Sequence, residues 1–260
     1  ISWLLPLSLA GWPRIHLLDL GASAGLNLVA EKRSYQFIET EREQDCLRLG
    51  RGNHAQFEVH SNGMPKLPSG VFIKGPRILS RLGCDLTPFH LRTPIDEVTL
   101  AAFVWADQTA RMDRLQEGLA AFRQVEMSLA PVELHAVELP EGLPAFLEQQ
   151  VGEGSEALIC YNTFIRMYLP EKGFALRRYL GAWARKQTHP VVWIQWEPPS
   201  SLNIRHGKAP EYGWLAWTID MWHRGQEHHW HIAWVHPHGQ RVHWLPGLQD
   251  WIKEAGRRQK

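Results

Sequence analysis

Two hundred and sixty residues, 44% hydrophobic and 21% charged, make a chain long enough to bury a sizeable core without disulfides or a structural metal, which excludes disorder as its main state. Twenty-eight Lys and Arg against 27 Asp and Glu leave a formal charge of +1, so bulk binding to a nucleic-acid backbone is not expected. The three cysteines, Cys46, Cys84 and Cys160, are odd in number and widely spaced. They write neither a disulfide framework nor a zinc knuckle, and a reducing, cytoplasmic setting is the expectation.

The opening Ile1 to Ala10 is apolar but short, is broken by Pro6 and lacks a basic start. It reads as the end of a packed helix rather than a signal peptide or a membrane span. Because the first residue is not Met, the expectation leaves room for a truncated N-terminus. Arg14 to Gly21 then reads as a strand, followed by a tight turn of small residues and a helix over Leu26 to Lys32. From Tyr35 to Val71 the pattern weakens among charges and glycines, as expected of an irregular or hairpin-rich surface insertion at about 35–71. Arg77 to Pro88 is a second strand, Pro94 to Phe103 a helix, and Asp107 to Met127 a longer helix with Asp107 as its N-cap.

Val132 to Leu139 alternates as a third strand, Ala157 to Tyr161 and Val191 to Trp196 are apolar runs of the buried-strand type, and Phe174 to Lys186 is a helix between them. Trp214 to Trp222 and His229 to Val235 form an aromatic-rich hairpin that closes the sheet as an antiparallel edge. Alternating strands and helices, with no internal repeat or linker, predict a single α/β domain over 1–260. Its sheet is mostly parallel, with helices on both faces. Eight of the 13 tryptophans lie between Trp193 and Trp244, where large cross-strand side chains pack against helices.

The most informative stretch is Asp19-Leu20-Gly21-Ala22-Ser23-Ala24-Gly25-Leu26-Asn27. Small residues between strand and helix let main chain approach a ligand closely at the carboxyl end of a strand. Asp-Leu-Gly-x-x-x-Gly resembles the first motif of class I S-adenosylmethionine-dependent methyltransferases, although Ser23 stands where that family usually has a further glycine. The resemblance implies a Rossmann-like, methyltransferase-type sheet, with S-adenosylmethionine as cofactor. It further implies that Asp19 contacts the amino-acid end of the cofactor, with Gly21, Ala22, Ser23, Gly25 and Asn27 around its path. Asp85, ending the second strand, would accept from both ribose hydroxyls; if the 35–71 insertion is not looped out, Glu39 or Glu41 takes that role. Glu138 would meet adenine. Tyr161 and Asn162 follow the fourth strand, where substrate and methyl group meet, and with Asp107 and His135 they are the candidate catalytic groups.

A closer similarity is to a bacterial family catalogued only as domain of unknown function 2332. It rests on Gly21 to Leu28, on Arg81-x-Gly83-x-Asp85-x-x-Pro88, on Val104-Trp105-Ala106-Asp107-Gln108 with Arg111 and Arg114, and on His236-Pro237-His238-Gly239. Members of that family usually have Pro where Ala106 stands and a longer helical N-terminus. Trp105, Gln108 and Arg111 form a candidate substrate wall, an aromatic face with an amide and a guanidinium for a small or planar substrate. The alternative readings are two. Gly21-Ala22-Ser23-Ala24-Gly25 also fits the G-x-S-x-G nucleophile elbow of a serine hydrolase, with Ser23 as nucleophile, although only 22 residues precede it. A non-catalytic Rossmann-like binding module would keep the turn but transfer nothing. Seven of the 14 histidines lie between His223 and His243, and His229 and His231, with Asp220 or Glu227, raise a metal site as a competing idea. Strand-face packing is the preferred account of them, and no metal is expected.

Overall fold

The computed structural model describes residues 1–40, 44–50, 57–63, 71–73, 75–105, 107–151, 154, 156–202, 204 and 208–258. Helix α1 (Leu4–Ala10) leads into β1 (Arg14–Leu20), and then a 3-10 segment, Leu26–Lys32, leads to β2 (Ser34–Glu39). The strands β3 (Gln44–Gly50), β4 (Phe57–Asn62) and β5 (Val71–Ile73) follow, and the chain returns through β6 (Arg77–Asp85). Next come α2 (Pro94–Ala101), α3 (Thr109–Glu126), β7 (Val132–Ala136), α4 (Leu143–Gln150), β8 (Ala157–Thr163) and α5 (Phe174–Ala184). The chain ends with β9 (Val191–Glu197), α6 (Pro199–Leu202), the hairpin β10 (Leu215–His223) and β11 (Gln226–Val235), then β12 (Arg241–Trp244) and α7 (Gly247–Arg258).

Among the described residues one sheet of twelve strands runs β5-β3-β2-β4-β12-β11-β10-β9-β8-β1-β6-β7. The five strands from β7 to β9 are parallel neighbours, and β10 and β11 continue antiparallel. Alternate residues of each strand feed opposite faces. Leu17, Ile159, Tyr161 and Ile194 join Leu4, Leu5, Leu248 and Trp251 on one side, under α1 and α7. Leu18, Leu158, Cys160 and Trp193 join Phe146, Leu147, Leu176 and Leu180 on the other, under α4 and α5. A mixed α/β sheet, mostly parallel and covered on both faces, is therefore the architecture.

Three expectations are corrected. The 35–71 segment holds the expected hairpin, β2 with β3, but not as a surface insertion: β2 to β5 extend the same sheet, and Tyr35, Phe37, Leu47, Leu49 and Val59 are buried in the main core. The β10–β11 hairpin is consequently interior rather than an edge. The turn after β11 brings β12 back, and β12 pairs in parallel with β4 through Arg241 and His60. The helix over Leu26 to Lys32 is a kinked 3-10 segment, with Val29 at φ −112° and ψ 19°. Arg81 Nε donates to the Leu28 carbonyl at 3.0 Å, an oxygen that a continuing α-helix would have used itself. No helix among the described residues is long and apolar enough to cross a membrane.

Candidate functional site

In an open parallel sheet a ligand crevice forms outside the carboxyl ends of the strands, where the strand order reverses. Here, once the excursion through β2 to β5 is set aside, the chain runs from β1 to β6 and β7 on one side, and β8 and β9 lie on the other. The reversal falls between β1 and β8, whose paired ends are Asp19 and Tyr161. The Tyr161 hydroxyl donates to Asp19 Oδ2 at 2.7 Å, with both side chains buried. Burial pushes the Asp19 carboxyl up to about 7, opposed by the Tyr161 hydrogen bond and assisted by the charge of Asp85. Burial and the neighbouring Asp19 raise the Tyr161 phenol as well.

The turn after β1 is clasped to the end of β6. Gly21 and Ala22 donate their N–H groups to the Cys84 carbonyl at 2.8 and 2.9 Å, and Phe89 donates to the Ser23 carbonyl at 3.1 Å. The Ser23 N–H reaches Asp85 Oδ2 at 2.8 Å, while Thr87 N–H meets Asp85 Oδ1 at 3.1 Å. Ser23, at φ 50°, and Gly21 and Gly25, at φ 88° and 73°, occupy the left-handed region that this tight geometry demands. Above the turn sits Ile165: a Cβ on Gly21 would lie 2.5 Å from its Cδ1. The sequence distance between Asp19 and Asp85 is taken up by β2 to β5, so the two acids end adjacent strands. Glu39 ends β2, several strands away, and Glu41 lies outside the described residues.

Beside this turn a cavity of about 320 Å³ opens toward solvent, lined by Asn27, Thr163, Phe164, Trp196 and His238 among others. Its walls are thus the segment after β1, the end of β8 with Phe164, Trp196 of β9 and the turn after β11, together with Ile1, Tyr35 and Phe57. Glu197, fully buried at the end of β9, fixes the segment after β8. Its Oε1 accepts from Asn162 Nδ2 at 2.6 Å, from Ile165 N–H at 2.9 Å and from Arg166 N–H at 3.2 Å. Burial raises the Glu197 carboxyl despite those donors. One carboxylate therefore sets where Phe164 and Ile165 stand relative to the cavity and the glycine turn.

Of the residues singled out from sequence, Asp19 and Tyr161 meet, Ser23 and Asp85 meet, and Asn27 lines the cavity. Asn162 points to the opposite face, where its Oδ1 accepts from Trp193 Nε1 at 2.7 Å. His135, in β7, packs edge-on against Phe146 of α4, and Glu138 is exposed two residues beyond the end of that strand. Helix α3 starts at Thr109 with Gln108 in the N-cap position, so Asp107 is an exposed residue before it and not the cap. The Gln108 N–H bonds to the Trp105 carbonyl at 2.9 Å, a turn that delays the helix by two residues. Trp105 is 75% exposed, and Gln108 Oε1 accepts from Arg111 Nη1 at 2.8 Å. None of the three lines the cavity.

Glu197, Ile165, Trp196 and His238 are the site residues that sequence reasoning did not select. Glu197 ends a buried strand in the same way as Asp19 and Asp85, and that shared position was its available signal. In the histidine-rich hairpin, His229 Nδ1 lies 2.7 Å from Asp220 Oδ1 and His231 Nε2 lies 3.0 Å from the Ala233 carbonyl. No group of three or more His, Cys, Asp or Glu that could hold a metal ion occurs among the described residues.

No curated protein and no solved structure matches the chain. The model of a family described as uncharacterized protein conserved in bacteria, DUF2332, matches residues 7–244, and the chain belongs to that family.

Proposed function

We propose that the protein is an S-adenosylmethionine-binding, methyltransferase-like enzyme whose cofactor lies over the carboxyl ends of β1, β6 and β8. The observation that carries this reading is the strand order: among five parallel strands the order reverses between β1 and β8, and acids stand at the ends of β1 and β6. A cavity of about 320 Å³ adjoins that point, a size common for small-molecule sites. Asp19, ionised, would pair with the cofactor ammonium, and a cation there would favour the charged carboxylate against its burial. Asp85 has one oxygen on each of two backbone donors and keeps lone pairs for hydroxyl donors. Ile165 must turn away from Gly21 for the cofactor to touch main chain at the turn.

When bound, the cofactor would supply an activated sulfonium methyl for an acceptor nucleophile that gives up a proton, with the electron pair staying on sulfur. The chain holds and aligns the reactants and excludes water. The acceptor is a small or planar molecule reaching the cavity beside Trp196 and Phe164. Calorimetric titration with S-adenosylhomocysteine tests the reading, with saturable one-to-one binding as the expected result. Ser23→Ala is expected to keep that binding within about threefold, because only the Ser23 backbone is used. Well-folded protein that does not bind overturns the proposal, and a hydrolytic activity abolished by Ser23→Ala would move it to the hydrolase reading. Among the described residues no histidine hydrogen-bonds the Ser23 hydroxyl, which favours the first outcome.

A further inference from the structure

Helix α3 and the turn between β11 and β12 face each other across a groove of about 620 Å³ lined by Phe57, Glu58, His60, Arg114, His236, Gln240 and Arg241. We infer that this groove is a binding site for the phosphate group of a small molecule, gripped by Arg114 on one wall and His236 on the other, with Arg111 and His238 close enough to add to the local field.

Two of the cations gathered here stand without a carboxylate partner. Neither Arg111 nor Arg114 has a carboxylate within ion-pair distance among the described residues. The Arg111 Nη1 donor is satisfied by the neutral Gln108 side chain, and the Arg114 guanidinium lies 5.5 Å over the Phe57 ring. The adjacent cations are already matched: Arg33 with Glu117 at 3.2 Å, and Arg241 with both oxygens of Glu211. Burial lowers the Arg114 guanidinium, and the positive charges of Arg111 and Arg33 lower it further, against a smaller opposing effect of Asp113. His238 is lowered by burial and by Arg111 and Arg114, so the two walls sense each other.

A second, independent observation is an orphaned polar atom on a lining residue. His236 Nδ1 is buried with no hydrogen-bond partner, and its ring stands 5.9 Å from that of His238. The turn that carries them is held by His236 N–H on the Arg241 carbonyl at 2.9 Å and Gly239 N–H on the His236 carbonyl at 2.7 Å. An imidazole and a planar guanidinium on the groove lining, with Arg111 and His238 nearby, suit a tetrahedral anion with several acceptor oxygens. Among the described residues Glu58 is the single acid on the groove wall. The net charge of +1 favours a small ligand over a long polyanion. This site stands whether or not the crevice at β1 and β8 takes a nucleoside cofactor. Phe57 borders both the groove and the cavity there, so a ligand anchored by its phosphate would extend toward Trp196.

Titration of the whole chain with inorganic phosphate at low ionic strength tests the inference, with circular dichroism as the check on folding. Saturable one-to-one binding is expected, weakened at least tenfold by Arg114→Gln and by Arg111→Gln, and only partly by Arg114→Lys. Arg178→Gln, on the exposed side of α5, is expected to leave it unchanged. The inference is overturned by absence of phosphate binding to the folded parent, by binding that survives both glutamine variants, or by an equal loss in Arg178→Gln. Because Arg111→Gln leaves the Phe57 contact intact, failure of the Arg114 variant to fold does not remove the test.

Discussion

Replacing Asp220 with Ala is expected to cost about 3 kcal/mol of folding stability, the lower end of the range for breaking a buried ion pair. Asp220 lies in the middle of β10 with no exposed surface. Its Oδ2 is 2.6 Å from Arg177 Nη1 and accepts from Gln195 Nε2 at 3.1 Å, and its Oδ1 is 2.7 Å from His229 Nδ1. Removing the carboxylate strands the buried Gln195 amide and takes an anion away from the buried Arg166, which Gln195 also holds at 3.1 Å. The lower end applies because Arg177 is 38% exposed and keeps Glu227 at 2.7 Å, so water and a second acid offset part of the loss. Urea unfolding should show a lower midpoint with an unchanged slope. Glu227→Ala, at a 32% exposed carboxylate, should cost less than about 1 kcal/mol. Equal small effects for the two variants would contradict the account of a buried network.

The second large effect concerns pH. The Asp19 carboxyl is raised from 3.8 to about 7 in the folded chain, chiefly by burial. Between those values the native state holds a proton that the unfolded state releases, so stability due to this group is complete below about 3.8 and is lost as pH rises through about 7. Asn at this position keeps an acceptor for the Tyr161 hydroxyl and removes the charge. Asp19→Asn is therefore expected to gain on the parent as pH rises from about 5 to about 8, by a few kcal/mol at the upper end, since each pH step of one below about 7 contributes about 1.4 kcal/mol. Other buried titrating groups, Glu197 and His231 among them, are common to both chains and cancel in the difference. Urea melts of both at three pH values measure it. A difference that stays constant over the range would mean that Asp19 does not carry the raised carboxyl.

Asp19 and Asp85 also show what the sequence made legible. Each ends a short apolar run followed by a turn, and local pattern is enough to place both at strand ends. That they end neighbouring strands depends on where β2 to β5 go, and this is decided by pairing far along the chain. Tyr35, Phe37, Leu47 and Leu49 alternate as strand residues should, but the charges and glycines around them masked the pattern. The pairing of β12 with β4 is non-local and left no trace in either segment alone. Asp107 has the right residue type for a cap and stands before a helical pattern, yet a turn closed by the Trp105 carbonyl displaces the start of α3. Glu197 escaped notice for a different reason. Its partners Asn162, Ile165 and Arg166 lie more than 30 residues away in sequence, so the cluster exists only once β8 and β9 are paired.

Hydrogen–deuterium exchange with and without S-adenosylhomocysteine tests most directly whether a nucleoside cofactor lies at the reversal of strand order. Slower exchange is expected in peptides covering residues 20–28 and 161–166 of the liganded chain, with the far strands β3 and β5 unaffected. Protection confined to other segments, or an identical pattern at saturating ligand, would contradict it.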